Sequence, residues 1–571
     1  MADPSPATEP AHKIQPRRRR LWGLRLSIRR YVRALTGAGL TGALLFFAGS
    51  LTPSLLPRVW YLQGVATGIC TILGYAAGTT LAGVLRWLGP HPRWTPATKR
   101  RARWALIVAA VVVVPTILLL GAHWQAQTRA LVGIPASGRY LYSGVLLVAV
   151  PTAVLLLALA RLVRRASRAV GSWAGRFIPP RMARTIGELV LAAVLIFAVN
   201  GVIYRPFLFV ANRSAAAADH STSDGVVRPT APQRSGSPAS AVSWDSLGQQ
   251  GRTFVASGPT PGELQAFSHR TALTPVRVYA GVASANSERA VAALVVDELR
   301  RTGAFDRAVL AVATTTGTGW VDEDIADPLE YLYNGNTAIA AMQYSYLPSP
   351  VAFIADRSTP RAAGRELFEQ VYAAWAALPA GHRPKLVVFG ESLGSYGAEA
   401  AFSGPQDLAA RTDGALFVGP PNFSPLWQQV EQGRDPGSPE ILPVVDSGTH
   451  VRFSATGTDL NADDSSWATP RTVYLQHATD PIVWWSPNLL FERPDWLAEP
   501  RGPDVSPSMR WMPLVTFWQV TMDLVFASDV PVTHGHHYGT GTVNAWAAIL
   551  HPDEWTPTDT ARLRQVMDQG S

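Results

Sequence analysis

The chain has 571 residues, 47% hydrophobic and 16% charged, with a formal net charge of +9 and a single cysteine. Its length admits more than one folded unit, while the lone Cys70 excludes a disulfide framework and gives a thiolate or redox role little support. The basic excess does not describe a nucleic-acid binder: residues 10–187 hold no Asp or Glu, yet their arginines alternate with long apolar runs and form no single patch interleaved with aromatics.

The apolar runs fall at about residues 34–50, 61–85, 104–121, 140–160 and 186–210. A bilayer core needs roughly 20 apolar helical residues, so the pattern predicts about five transmembrane helices, the first being the shortest. Residues 17–20 are all Arg, and Arg25, Arg29, Arg30 and Arg33 follow before the first run. Arg86, Arg93, Lys99, Arg100, Arg101 and Arg103 separate the second and third runs; Arg161, Arg164, Arg165, Arg168, Arg176, Arg181 and Arg184 separate the fourth and fifth. The remaining connections hold only Arg58, then Arg129 with Arg139. Every second loop is therefore basic, the mark of a cytoplasmic side. Residues 1–33 read as a basic cytoplasmic terminus, residues 34–210 as a multi-pass domain of the cell membrane, and everything after residue 210 as extracytoplasmic. Core helices of a soluble protein would show no such alternation. "SLTPSLLPRVW" also offers no small-residue cleavage site, which argues against a cleaved signal.

Residues 211–243, rich in Ala, Ser, Pro and Thr without apolar periodicity, read as a flexible linker. Beyond it, residues 244–571 alternate short apolar runs ("VRVYAGV", "AVLAVATTT", "AIAAMQYSYL", "KLVVFG") with amphipathic helices. That order predicts an α/β domain, a mostly parallel sheet covered by helices on both faces.

"KLVVFGESLGSYGAEAAF" then has a context: a buried strand, a tight turn Gly390-Glu391-Ser392-Leu393-Gly394, and a helix of small residues. A nucleophile elbow needs this arrangement, because the serine occupies a strained turn and glycines two residues either side let strand and helix approach. Ser392 is the candidate nucleophile, and the Leu393 N–H at the helix start is one oxyanion donor. A second amide is expected from Thr316 or Gly317, in the loop after "AVLAVATTT". As a phosphate loop that stretch fails, since Asp322 stands where a third glycine would be needed. The acidic group Asp322, Glu323 and Asp324 reads as a solvated loop.

The acid and base should follow the serine in the order acid, then histidine. Asp480, just past the strand-like "TVYLQHATD", is the candidate acid; Asp459, Asp463 and Asp464 are rivals in a polar loop. "DVPVTHGHHYGTG" supplies His536 as first choice of base, His534 as second, and His537 as a neighbour. The three histidines fit no helical zinc motif, so neither a metal nor a cofactor is expected. Between Asp480 and the histidines lies an aromatic-rich insertion, a cap whose Trp484, Trp485, Trp511 and Trp518 read either as an apolar substrate wall or as cap core.

"WDSLGQQGRTFV", "TGAFDRAVLAVATTTGTGWVD", "QYSYLPS", "GESLGSYG" and "HGHHYG" resemble the actinobacterial-type membrane α/β-hydrolase family, and "SLTPSLLPRVWYLQG" is similar to its accompanying transmembrane domain. The resemblance implies an α/β-hydrolase fold and a triad centred on Ser392. One departure is "MPLVTFWQVTMDLVF", which reads as a helix where a last strand would stand. The expected activity is that of an extracytoplasmic serine esterase or lipase, with membrane lipids as surroundings and a lipophilic, lipid or envelope, ester as substrate. An envelope acyltransferase using the same acyl-enzyme, and a catalytically silent membrane scaffold or lipid-binding protein, are the other readings of these residues.

Overall fold

The computed structural model describes residues 35–89, 94–135, 139–174, 205–461 and 463–570, with Arg176 and Pro179. The membrane region contributes α1 (Gly37–Ser50), α2 (Trp60–Leu88), α3 (Pro96–Leu131) and α4 (Val145–Ala174), followed by α5 (Arg205–Asp219). Among the described residues, three helical stretches are long and apolar enough to cross a membrane: Trp60–Leu88, Pro96–Leu131 and Tyr142–Trp173. The first expected span differs, since α1 has 14 residues and at 1.5 Å per residue reaches only about 21 Å. The fifth expected span lies outside the described residues except for its last six, which open α5, and the basic terminus at residues 1–33 lies outside them altogether.

Glycines hold this bundle together. A Cβ on Gly42 would stand 2.2 Å from the Gly74 carbonyl oxygen, one on Gly78 2.3 Å from that of Ala38, and one on Gly64 2.6 Å from Val148. α2 thus carries two small-residue faces, Gly74/Gly78 towards α1 and Gly64/Gly68 towards α4, the close-approach packing that substitutes for a hydrophobic drive in lipid.

The second half is a seven-stranded sheet: β1 (Val276–Ala280), β2 (Val309–Thr314), β3 (Thr337–Met342), β4 (Lys385–Glu391), β5 (Gly414–Val418), β6 (Val451–Ser454) and β7 (Arg471–Leu475). The order is β1-β3-β2-β4-β5-β7-β6 and every pair is parallel. Strands such as "VLAVAT" and "TAIAAM" are buried at every position, as a sheet with both faces covered requires. The flanking helices are α6 (Glu288–Arg301), α7 (Glu323–Leu332), α8 (Ser358–Ala376), α9 (Leu393–Glu399), α10 (Val515–Asp523) and α11 (Gly541–Leu550). From β2 the chain steps outward to β3 and then back past β2 to β4. The strand order reverses at the carboxyl ends of β2 and β4, where open α/β sheets form their crevice. Edge strand β6 precedes β7 in the chain, so the stretch before the histidines is free to be the helix α10 that its sequence suggests.

Residues 211–243 differ from the expected flexible linker. Their first part completes α5, and further on Arg234 is buried, donating to the Val255 and Ser257 carbonyls. Ser235 and Ser240 donate to Glu298 at 3.0 and 2.8 Å, and the Ala241 N–H does so at 2.8 Å. Polar composition alone suggested a tether; here the hydroxyls satisfy a buried carboxylate contributed by α6.

Candidate active site

Ser392 stands between β4 and α9 with φ 55° and ψ −121°, a region that costs a non-glycine residue about 1–3 kcal/mol. Its neighbours show how the strain is held. A Cβ on Gly390 would lie 2.4 Å from the Gly394 backbone, and one on Gly394 2.3 Å from the Thr314 carbonyl oxygen at the end of β2. Both positions therefore require glycine. The Ser392 N–H donates to the Val418 carbonyl at 2.9 Å. Ser395 Oγ lies 2.6 Å from the Gly390 carbonyl and 2.9 Å from that of Val418, and accepts from the Val418 N–H at 3.0 Å, so this second serine ties the turn to β5.

His536 meets the same corner from the other side. Its Nδ1 lies 2.6 Å from Asp480 Oδ2, and that carboxylate is fully buried. Asp480 follows β7, and its second oxygen accepts the Ile482 N–H at 2.8 Å as the cap of the short helix Pro481–Trp484. The imidazole rests on Gly419, the residue after Ser392's backbone partner: a Cβ there would stand 2.5 Å from His536 Cε1. His536 Nε2 is buried with no hydrogen-bond partner among the described residues. Strand, turn, acid and imidazole thus converge at the carboxyl edge of β4, β5 and β7.

Residues 276–563 match the model of an alpha/beta-hydrolase family, and residues 51–259 match that of the alpha/beta-hydrolase family N-terminus. No curated protein and no solved structure matches the chain. The chain belongs to this alpha/beta-hydrolase family.

Within the hydrolase fold the other expected residues separate. His534 Nδ1 pairs with Asp504 Oδ2 at 3.1 Å and His537 Nδ1–H donates to the Val530 carbonyl at 2.9 Å, so the three histidines point to three different partners. Asp459 accepts from the Ser454 hydroxyl, Asp463 faces His551 and Asp464 faces Arg452, all away from His536. As the first residue of α9, Leu393 has an N–H with no acceptor inside the helix. Thr316 and Gly317 follow β2 as expected, but their amides are engaged: Thr316 N–H donates to the Trp320 carbonyl at 3.0 Å and Gly317 N–H reaches Ser349 Oγ at 3.3 Å. Residues 316–320 close a turn on themselves, which uses the Thr316 donor. Gly317, held only by a side-chain hydroxyl, is the one that a rotamer change would release.

Trp484 and Trp485 are buried in the core and Trp511 packs half-buried against it, while Trp518 is half-buried with its ring edge-on to Phe517. Trp484 Nε1 donates to the His477 carbonyl, Trp485 Nε1 to Thr521 Oγ1 and Trp511 Nε1 to the Leu489 carbonyl, at 2.8–3.0 Å. A chain of ring contacts does run from the elbow helix into the cap: Tyr396 on Phe423, Phe423 on Phe353, Phe353 on Trp485, with centroids 4.9–5.7 Å apart.

Several residues at the site carry no motif of their own. Tyr538 OH donates to Asp480 Oδ2 at 2.7 Å, and burial next to that carboxylate holds the phenol well above its ordinary value, keeping it a donor. His477 stacks on Tyr538 with centroids 4.1 Å apart, and burial holds its imidazole below the ordinary value, so neutral Nδ1–H donates to the Gly535 carbonyl at 2.8 Å. Glu391, inside the elbow, places Oε1 3.8 Å from His536 Nε2. Burial first, then Asp322, push its carboxyl well above the usual range. Asp322 is itself pushed up to about 7, by burial and then by Asp324, and hydrogen-bonds to Glu391. Two carboxyl groups in that contact need a shared proton. The acidic stretch expected to be a solvated loop therefore sends one member inward: Asp322 caps α7 by accepting the Asp324 N–H at 3.0 Å while facing the elbow.

Proposed function

We propose that this hydrolase is a membrane-anchored serine hydrolase acting outside the cytoplasm, cleaving a carboxylic ester through an acyl-enzyme on Ser392. The reading rests on one observation above all: a buried imidazole nitrogen without a hydrogen-bond partner among the described residues, on a histidine oriented by a buried carboxylate, lies at the corner where a serine is held in a strained turn. Ser392 Oγ attacks the ester carbonyl while His536 Nε2 takes its proton, and Asp480, with Tyr538 on the same oxygen, holds the resulting imidazolium. The Leu393 N–H receives the developing oxyanion. The proton then passes from His536 to the departing alkoxide, and water, deprotonated by the same nitrogen, releases the acid and restores Ser392.

The charge pattern and the docking of the halves support the same orientation. The two arginine-poor connections are those on which the hydrolase half sits: Ser54, Leu55 and Arg58 meet Asp523, while Val132 and Ile134 pack into the apolar core of the sheet domain. Arg86, Lys99, Arg100, Arg101 and Arg103 lie at the opposite ends of α2 and α3. A catalytic domain seated on membrane helices favours a lipophilic ester. The decisive experiment is fluorophosphonate labelling of the full chain in detergent. Label should be lost in Ser392→Ala and kept in Ser395→Ala; equal labelling of Ser392→Ala would remove the nucleophile assignment. A reporter fused after residue 210 should read as extracytoplasmic and one near Lys99 as cytoplasmic, and a common side for both would reverse the orientation.

A further inference from the structure

The connection between α1 and α2, residues 51–59, belongs to the membrane region by sequence and to the hydrolase half by burial. Leu55 and Leu56 are part of the same apolar core as the sheet. The Asp523 carboxylate, at the end of α10, accepts from the Ser54 hydroxyl and from the Leu55 N–H at 3.2 Å, and stands 3.2 Å from Arg58 Nε with both side chains out of water. One turn earlier, Gln519 Nε2 donates to the Thr52 carbonyl at 2.9 Å. An ion pair buried on both sides is a weak source of stability, because desolvation cancels most of the attraction. What such a pair supplies here is register.

The register concerns the histidine loop. α10 continues into residues 524–530, and the His536 N–H donates to the Ala527 carbonyl at 2.7 Å. Gly535, at φ +53°, has no room for a side chain: a Cβ would stand 2.5 Å from the Ala527 carbonyl oxygen and 3.4 Å from Leu56 Cδ1. His537 is fixed to the Val530 carbonyl. Membrane connection, α10 and histidine loop are thus stacked in direct contact.

We propose that residues 51–59 form part of the hydrolase's working site, holding the 524–537 segment through the Arg58–Asp523 pair and the Leu56 contact so that His536 is positioned for Ser392. Arg58 and Leu56 are positioning residues that touch no substrate, and the inference rests on the serine-hydrolase reading above. It gives the membrane region a role in turnover that anchoring does not require.

The test uses the full chain in detergent, with p-nitrophenyl butyrate as substrate and fluorophosphonate labelling in parallel, well below every variant's melting temperature. Leu56→Ala and Arg58→Ala should lower kcat by about tenfold or more with KM within about twofold, since a displacement near 1 Å costs on the order of 100-fold. Arg58→Lys should recover part of the loss. The comparison variant is Leu299→Ala, buried in α6, which packs on β1 and β3 at the opposite end of the sheet from β7; it should keep its kcat at a similar loss of thermal stability. Should Arg58→Ala fail to fold, Leu56→Ala, which strands no charge, decides. Unchanged kcat in folded Leu56→Ala and Arg58→Ala, or an equal kcat loss in Leu299→Ala, would overturn the inference while labelled parent chain leaves the hydrolase reading intact. A parent chain that takes no label at Ser392 would overturn both.

Discussion

The elbow and the histidine loop meet at one corner, yet they are built in opposite ways. The elbow is mostly local: Gly390, Ser392, Gly394 and Ser395 lie within six residues, and their geometry follows from a strand that turns directly into a helix. The histidine loop has little regular structure of its own. Its Gly535 N–H is taken by Thr479 Oγ1 at 3.0 Å, its Gly535 carbonyl by His477, and its His536 N–H by Ala527. A site can therefore show its nucleophile in a short motif while its base is placed by residues scattered from Leu56 to Tyr538.

The largest effect asks whether the two sides meet in chemistry. His536→Ala should bring turnover down to the Ser392→Ala background, about 10⁴-fold or more, because loss of either member disables the same proton transfer. Measurable hydrolysis by folded His536→Ala would mean that the loop delivers another base. Next in size is Gly419→Ala. The added methyl would stand 2.5 Å from His536 Cε1 at a residue with φ +51°, so the imidazole must move. A fall in kcat of about 100-fold, with labelling slowed in parallel, is expected; a rate near that of the parent would show that the loop tolerates displacement.

The same contrast explains what the sequence made legible. Continuous runs such as "VLAVA" and "LVVF" announce a parallel sheet because burial on both faces demands apolar residues at every position. The elbow was legible because its glycines stand at fixed spacing around the serine in a strand-turn-helix, Gly390 required by approach within the turn and Gly394 by the end of β2. Chain order pointed to Asp480 past a strand and to the histidine loop, while leaving His536 and His534 as alternatives for the base. Gly419 and Tyr538 carry no such signal, since a glycine after a strand looks like any turn and a tyrosine after histidines looks like any core aromatic. Asp322 was obscured for an electrostatic reason: a polar run normally seeks water, and only the facing Glu391, far away in sequence, draws one carboxyl inward. α1 is short in the sequence as well, since its apolar run stops at residue 50 and the backbone leaves the helix at Leu51.

Two milder variants separate the contacts around the loop. Tyr538→Phe removes one of two donors to Asp480 Oδ2 and takes the phenol oxygen from the His477 N–H, 3.3 Å away. A hydrogen bond to a charged group contributes about 1.5–3 kcal/mol, and with His536 still bound the lower end applies, about tenfold in kcat. His534→Ala should change kcat by less than about threefold, because its partner Asp504 retains the Thr479 hydroxyl at 2.9 Å. Steady-state kinetics of both, with KM recorded, would locate the base: a dead His534→Ala beside a nearly normal Tyr538→Phe would move it two residues towards the N-terminus.

The smallest effect tests the elbow's contact with Asp322, a residue far away in sequence. Asp322 rises from its ordinary 3.8 to about 7 in the folded chain, through burial and Asp324, while it faces Glu391. A carboxyl with a raised folded value binds more protons folded than unfolded, so its contribution to stability declines as pH rises from about 4 to about 7 and is flat above that. Asp322→Asn should weaken this decline. Asparagine caps a helix as well as aspartate does, so the bond to the Asp324 N–H at 3.0 Å is preserved and the charge alone is removed. Thermal unfolding of the full chain at intervals from pH 4 to pH 8 should show the parent losing more stability across the range than the variant. At pH 8 Asp322→Asn should melt higher, by a few degrees, since about 1 kcal/mol moves the midpoint of a unit of this size by roughly 2–4 °C. Parallel pH curves for the two proteins would mean that Asp322 and Glu391 share no proton, and that the elbow's carboxyl titrates independently of the acidic stretch.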